Sequence, residues 1–508
     1  MKKVLLIVSA LVLYAFSMQA QVYTDIKFTS KKGFSSVKKD VEFVIDSVTY
    51  NPFYTKFVTG PSQYDPTYVV NVTQSGKSSS FVAGSLPKEL DFIAAEDNLD
   101  NYWFVRNLES LRTISEIKDL YKTRAELEKD SNEYLKVLSK YNLLFDDPYL
   151  ESYLYSVVSK ILPYKRADGF PYDLKIKIVK DPSANAAAYP NGILLVNTGL
   201  LALVHSEDEL AAILAHEVAH FVANHSLVNL RKMEKAQDRA AALSLLTIGL
   251  AGIASAATIP YGYYDSSGSL LKSTALLSYV AASQYLEKMG MEYTKEQEKD
   301  ADLMAVAALN YLGYDKNALA TVFQRMADNF VEEGNWAAYY ISGNHPSLQN
   351  RIEYSGIPRM KADSKFEKIV SFAITQTGMS KYNDGRFKQA LKLANQNINN
   401  SVGTDDDYLI KALCLLNLYS DDAHNREALD MVQKAKAIYA GNANILRTEI
   451  IAFLRLNETN KAKALLETYS NQIINSMDKE PNKDGPYYSF LIEEMEWVRN
   501  MTVKVRGM

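Results

Sequence analysis

The sequence predicts an α+β, mostly α protein made of successive parts. Three observations carry this. Residues 21 to about 90 are rich in Tyr, Phe, Val, Thr and Ser in short alternating runs. The middle of the chain alternates apolar runs of helical period with short strand-like runs. Beyond Pro358 the composition turns helical and repeats itself. The expected divisions are an export signal over 1–20, a β-rich module over 21–107, a central domain over 108–358, helical repeats over 359–475, and a loop and helix over 476–508. At 508 residues the chain has ample core for roughly two to four domains.

The N-terminus reads as a secretory signal. Met1-Lys2-Lys3 is basic, Val4 to Phe16 is a short apolar core, and Ser17-Met18-Gln19-Ala20 ends it with small residues. Cleavage is expected after Ala20, with a cut after Ser17 as the alternative. The apolar run is short for a bilayer span, and no Cys near it offers a lipid anchor. An exported protein is expected, in the periplasm of a bacterium and at most peripheral to a membrane. The single Cys414 permits no internal disulfide. Loss of Lys2 and Lys3 with the signal moves the formal charge from -4 to -6, a mild acidity that gives no reason to expect nucleic acid as a partner.

In the β-rich module, Ser47-Val48-Thr49-Tyr50 and Thr67 to Thr73 read as strands, punctuated by turns at Gly60-Pro61-Ser62 and Ser75-Gly76. Leu108 to Leu144 is charged and helical. A helix over 149–162 leads to a strand over 174–179. Ala184–Tyr189 and Ile193–Asn197 flank Pro190-Asn191-Gly192, a hairpin signal. Small side chains at Ala186 and Ala187 let another backbone approach, which suits an extended peptide added at a sheet edge. A plain surface hairpin is the alternative.

The most informative stretch is His216-Glu217-Val218-Ala219-His220, inside an apolar-periodic run beginning at Glu209. Four residues apart on a helix, His216 and His220 share a face and can hold one Zn²⁺. Glu217 points to the adjacent sector, where a carboxylate can act as base toward the attacking water. A third ligand is needed. Glu298 and Asp302 share a face of a second helix that Gly313 stops. One carboxylate can bind the metal and the other can accept from a ligating His. Taken alone, these acids also suit an ordinary solvated first turn.

Four blocks in order resemble the gluzincin metalloendopeptidases of the HtpX and BepA type. They are Asn185 to Leu201, Glu209 to His225, Glu298 to Asp302, and His345-Pro346-Ser347-Leu348-Gln349-Asn350-Arg351-Ile352. They span roughly residues 148 to 360. The resemblance implies one zinc per chain held by His216, His220 and Glu298, with Glu217 as general base. It implies Asp302 behind a ligand, and Asn185, Ala186 and Ala187 near the cleft. His345, delivered from a turn, is the candidate for oxyanion stabilisation or for occupying the metal in a resting state. Packing at a helix start is its alternative. Arg351 is expected to support that turn or a nearby carboxylate.

On a continuous helix His225 lies roughly 140° from His220, so it reads as a structural contact near the helix end. His205 reads as a loop residue before a Ser206–Glu209 capping box, and His424 as a solvated turn. Residues 240–259 carry no charge but are mostly small. A buried or membrane-touching helical hairpin fits them better than a single span, which would part the zinc helix from Glu298. After Pro358, Gly378, Gly385 and Ala390-Leu391 begin a degenerate pattern with a period of about 34 to 38 residues that resembles tetratricopeptide repeats. A generic helical stack is the alternative, and either offers a concave surface for a protein partner. The resemblance implies protein or peptide substrates, among them unfolded envelope proteins, and a role in their quality control or processing. A chaperone or scaffold with latent or little proteolysis is the competing reading.

Overall fold

The computed structural model of the chain describes residues 26–34, 36–51, 67–83, 92–94, 97–114, 120–140, 142–162, 174–190, 192–234, 293–332 and 347–506. The expected signal at 1–20, the Gly60 turn, the 240–259 stretch and His345 lie outside the described residues.

The described residues are mostly helical, with two sheets. The first sheet comprises β1 (Lys27–Ser30), β2 (Glu42–Asn51), β3 (Thr67–Gln74), β4 (Lys77–Val82) and β5 (Phe92–Ala94), in the order β4-β3-β2-β1-β5. Each pairing is antiparallel. The β3–β4 hairpin turns at Ser75 and Gly76, both left-handed at φ 52° and 74°, which matches the twist of the strands it joins. Val70, Val72 and Phe81 point into the core. Asn71 and Ser80 bond across the other face at 2.6 Å.

Helix α1 (Leu99–Ile114) closes the inner face of this sheet, so one helix runs through the boundary expected at 107. Its Phe104, Leu108 and Leu111 share a core with Phe28, Phe43 and Val70 of the sheet, and with Ile193 and Leu195 of the second sheet. Helix α2 (Leu120–Lys140) joins through Leu127 and Leu138.

Helix α3 (Pro148–Ile161) begins on the Asp147 side chain, which accepts from the Leu150 amide at 3.0 Å. The second sheet has β6 (Lys175–Val179), β7 (Ala186–Ala188) and β8 (Ile193–Asn197) in the order β6-β8-β7. Strand β6 is parallel to β8 and β7 antiparallel to it, so β7 is an edge among the described residues. The hairpin expected between β7 and β8 is present, with Gly192 at φ 87°. Helix α4 (Thr198–Leu203) follows directly. A Cβ on its Gly199 would lie 2.3 Å from the Pro182 carbonyl, so only glycine lets the chain leading to β7 press against α4.

Helix α5 (Glu207–Val222) carries the histidine pair and packs on α3, on β7, on α7 (Lys295–Leu312) and on α8 (Ala318–Glu332). Surrounded this way, it is apolar nearly all round: Leu210, Ala211, Ala212, Leu214, Ala215, Val218 and Ala219 are all buried. Alanines on α5 face Ala301, Ala305 and Ala308 of α7 in one core, and these small side chains let the two helices approach closely. Ser206 caps α5 through the Glu209 amide, while Glu209 accepts from the His205 amide, one residue further back than a capping box requires. At the other end, the Val222 carbonyl accepts from Asn107 on α1 at 2.8 Å. Asn224, at φ 52°, then turns the chain into α6 (His225–Glu234).

Helix α9 (Leu348–Ser355) packs on α7 and α8. The core does not stop at residue 358. Phe366 of α10 (Ser364–Ile369) and Ala373 and Ile374 of α11 (Ser371–Asn383) belong to the same cluster as α5. The chain continues through α12 (Phe387–Asn399), α13 (Asp405–Leu418), α14 (Asp422–Ile438), α15 (Ala443–Arg455), α16 (Thr459–Lys479) and α17 (Pro486–Arg506). From α11 onward each helix packs on the next. Asp407, buried, knots the first pairs by accepting from Thr375 and Asn397. Among the described residues, no helix is long and apolar enough to cross a membrane.

Candidate metal centre

The helical spacing of His216 and His220 brings their Nε2 atoms to 3.1 Å of each other. Glu298 reaches the same point from the first turn of α7, whose start is fixed by a capping box between Thr294 and Gln297. Its Oε2 lies 3.7 Å from His216 Nε2, and its Oε1 lies 3.6 Å from His220 Nε2. All three side chains are buried, and their donor atoms lie within 4.8 Å of one another. The donor set fits Zn²⁺. Bonds of about 2.0–2.1 Å in a tetrahedron place ligand atoms about 3.3 Å apart, close to the separations seen, and three protein donors leave the fourth position for a reactant.

Behind His216, its Nδ1 lies 2.8 Å from Asp302 Oδ1. Asp302 is wholly buried, and the fork of Arg351 clasps it through Nε at 2.8 Å and Nη2 at 2.6 Å. Tyr354 donates to it as well, at 2.8 Å. Arg351 also sets Nη1 3.3 Å from Glu298 Oε2 and stacks 4.0 Å over the Phe323 ring. Burial opposes ionisation of Asp302, but Arg351 and His216 override it and hold its carboxyl at about 2. Burial likewise disfavours a charged His216, yet the Asp302 carboxylate outweighs that and lifts the imidazole above its ordinary range. Arg351 thus supports carboxylates. The turn that was its other expected partner lies at 343–346, outside the described residues.

Glu217 is buried beside the pair. Its Oε2 accepts from the Ala188 amide on β7 at 3.0 Å. Burial pushes its carboxyl up to about 7, against the pull of His216 and of that amide. One oxygen is therefore fixed by the edge strand, and a proton gained by the carboxylate goes to the other.

Of the three cleft residues expected on this hairpin, two turn their main chain away from the edge. Asn185 accepts from Asn197 at 3.0 Å, and Tyr189 donates to Ile193 at 2.7 Å. Antiparallel alternation gives Ala187 the same orientation, toward β8. Ala186 and Ala188 turn their N–H and C=O groups the other way, toward α5. The period of 2 in the strand would have indicated Ala188.

Sequence reasoning also left out Tyr293, which stacks on His220 with centroids 3.7 Å apart, and Tyr354. His225 does not point away. The left-handed Asn224 ends α5, and the new helix swings the His225 ring back, so its Nδ1 lies 2.9 Å from His220 Nδ1. His205 is more than a loop residue: its ring bonds Glu367 of α10, joining the segment before α5 to the C-terminal helices.

Two histidines and a glutamate from neighbouring helices, with a second glutamate fixed between the pair and a sheet edge, define a metallopeptidase-type centre. Residues 148–354 match the Peptidase family M48 model, so the chain carries a Peptidase family M48 domain. The mitochondrial metalloendopeptidase OMA1 of Schizosaccharomyces pombe is 29% identical over 223 residues, 43% of this chain and 56% of its own. The beta-barrel assembly-enhancing protease of Yersinia pestis is 22% identical over 293 residues, 57% of this chain and 49% of its own. That of Escherichia coli strain K12 is 23% identical over 200 residues, 38% of this chain and 36% of its own. The chain thus spans about half the length of the curated relatives it matches.

Proposed function

We propose that this chain is an exported, zinc-dependent metalloendopeptidase that hydrolyses peptide bonds of envelope proteins in their quality control or processing. The observation that carries the reading is the convergence of His216, His220 and Glu298, with Glu217 anchored between them and the β7 edge. Bound at these three residues, zinc supplies Lewis-acid polarisation of a carbonyl and a lowered water pKa. The chain's own residues do the rest. Ala186 presents main-chain groups at the β7 edge, where an extended peptide can add as a strand in a sequence-tolerant way. Glu217 takes the proton of the attacking water and delivers it to the leaving amine. Asp302 holds His216 in the tautomer that leaves Nε2 free to ligate, and Arg351 compensates the buried acids.

The proposal extends to substrate and place. The relatives named for β-barrel assembly favour envelope proteins as substrates. The helices from α11 to α16 begin successive pairs at Ser371, Asp405 and Ala443, which supports a tetratricopeptide-like stack that receives a protein partner.

The test is cleavage of an unfolded protein such as casein, and function in cells, by the mature chain and by Glu217→Gln. Loss of both with the fold intact supports the enzyme. Unchanged function in cells would favour the chaperone or scaffold reading.

A further inference from the structure

The two ligating histidines are held in unlike ways. His216 meets a carboxylate, Asp302. His220 meets a second imidazole: its Nδ1 lies 2.9 Å from Nδ1 of His225, with both rings buried. Beyond that, His225 Nε2 lies 3.7 Å from Asp300 Oδ2. Tyr293 stacks on the His220 ring, and its hydroxyl lies 3.0 Å from Ser226 Oγ.

Proton counting fixes the arrangement. His220 turns Nε2 toward His216 Nε2 and Glu298, so ligation through Nε2 leaves its proton on Nδ1. Two N–H groups cannot face each other at 2.9 Å. The Nδ1–H of His220 therefore donates to an unprotonated Nδ1 of His225. His225 then carries its own proton on Nε2, the nitrogen facing Asp300. We infer that His225 is a positioning residue of the metal centre: as the neutral Nε2–H tautomer it accepts from His220, selects the tautomer that ligates, and fixes the ring against Tyr293. Asp300 favours that tautomer electrostatically. The Asn224 turn is what brings His225 there, since a continuous helix would carry it to another face.

The inference rests on the proposed zinc site. Hydrogen-bond partners of ligating histidines typically contribute about 10–100-fold to metal affinity. The experiment measures Zn²⁺ affinity of the full mature chain against a competing chromogenic chelator, together with the visible spectrum of the Co²⁺-substituted protein. The variants are His225→Asn, His225→Gln and His225→Leu. Asparagine can place its carbonyl oxygen where Nδ1 sits. Glutamine sets its oxygen one bond further out, and leucine accepts nothing. The expected order of affinity is wild type, then Asn, then Gln and Leu together, with Leu about 10–100-fold weaker and its Co²⁺ spectrum altered. If Leu does not fold, the Asn-against-Gln comparison carries the test. Equal affinity and unchanged spectra across folded variants would overturn the role of His225 while leaving the zinc site standing. Wild type that binds no zinc would overturn both.

Discussion

Replacing Arg351 with methionine removes the cation that compensates two buried acids while keeping most of the side-chain volume over Phe323. Breaking a buried ion pair from one side costs about 3–5 kcal/mol, because the remaining charge has no partner. The 3.3 Å approach of Arg351 to Glu298 has the same scale: at an effective dielectric of about 20 the Coulomb attraction is about 5 kcal/mol, before desolvation is subtracted. In the metal-free protein both Asp302 and Glu298 lose this compensation. In the zinc-loaded protein the dication still neutralises Glu298, so the loss is smaller. For a domain of roughly 200 residues, 3–5 kcal/mol corresponds to a fall in Tm of about 6–20 °C. Thermal unfolding followed in chelator and in excess zinc measures both losses. A clear fall in chelator that shrinks with zinc is the expected result, with Arg351→Lys between wild type and Met because it keeps the charge without the fork. Equal small losses in both conditions would show that Arg351 acts through packing alone and refute the compensation.

Three further outcomes follow from the geometry. Asp302 has its folded pKa depressed, so its stabilisation is present above the unfolded value near 4 and is lost as pH falls toward 2. In chelator, the stability difference between wild type and Asp302→Asn should shrink across that window, as denaturant midpoints at several pH values would show. Gly199→Ala sets a methyl against the Pro182 carbonyl and should cost about 1–3 kcal/mol, read as a lowered denaturant midpoint. Cys414 is fully buried, and burial pushes its thiol up to about 12, so it should resist alkylation at pH 8 until the protein unfolds.

The histidine pair was legible because helical spacing alone puts His216 and His220 on one face; spacing also pairs Glu298 with Asp302 on a second helix, and only the family resemblance implied Glu298 as the third donor. Three parts of the site were not legible, each for a local reason. His225 was read along a helix that the left-handed Asn224 interrupts. Asp300 lies two residues from Glu298 and from Asp302, on a different face of α7, and that face meets His225. The cleft residues were taken as a consecutive run, whereas a strand offers alternate residues to its edge, here Ala186 and Ala188. The boundaries expected at 107 and 358 followed changes in composition. Packing follows the cores instead: α1 runs unbroken through 107 with Phe104, Leu108 and Leu111 in the core of the first sheet, and Phe366 and Ile374 enter the core that holds α5.

Metal content tests the assignment of zinc to His216, His220 and Glu298 most directly. Zinc per chain would be measured by elemental analysis after dialysis, in mature wild type, Glu217→Gln and Glu298→Ala. One zinc is expected in wild type and in Glu217→Gln, and a weakened or empty site in Glu298→Ala. Wild type without zinc, or Glu298→Ala that holds it as firmly as wild type, would contradict the assignment of this centre.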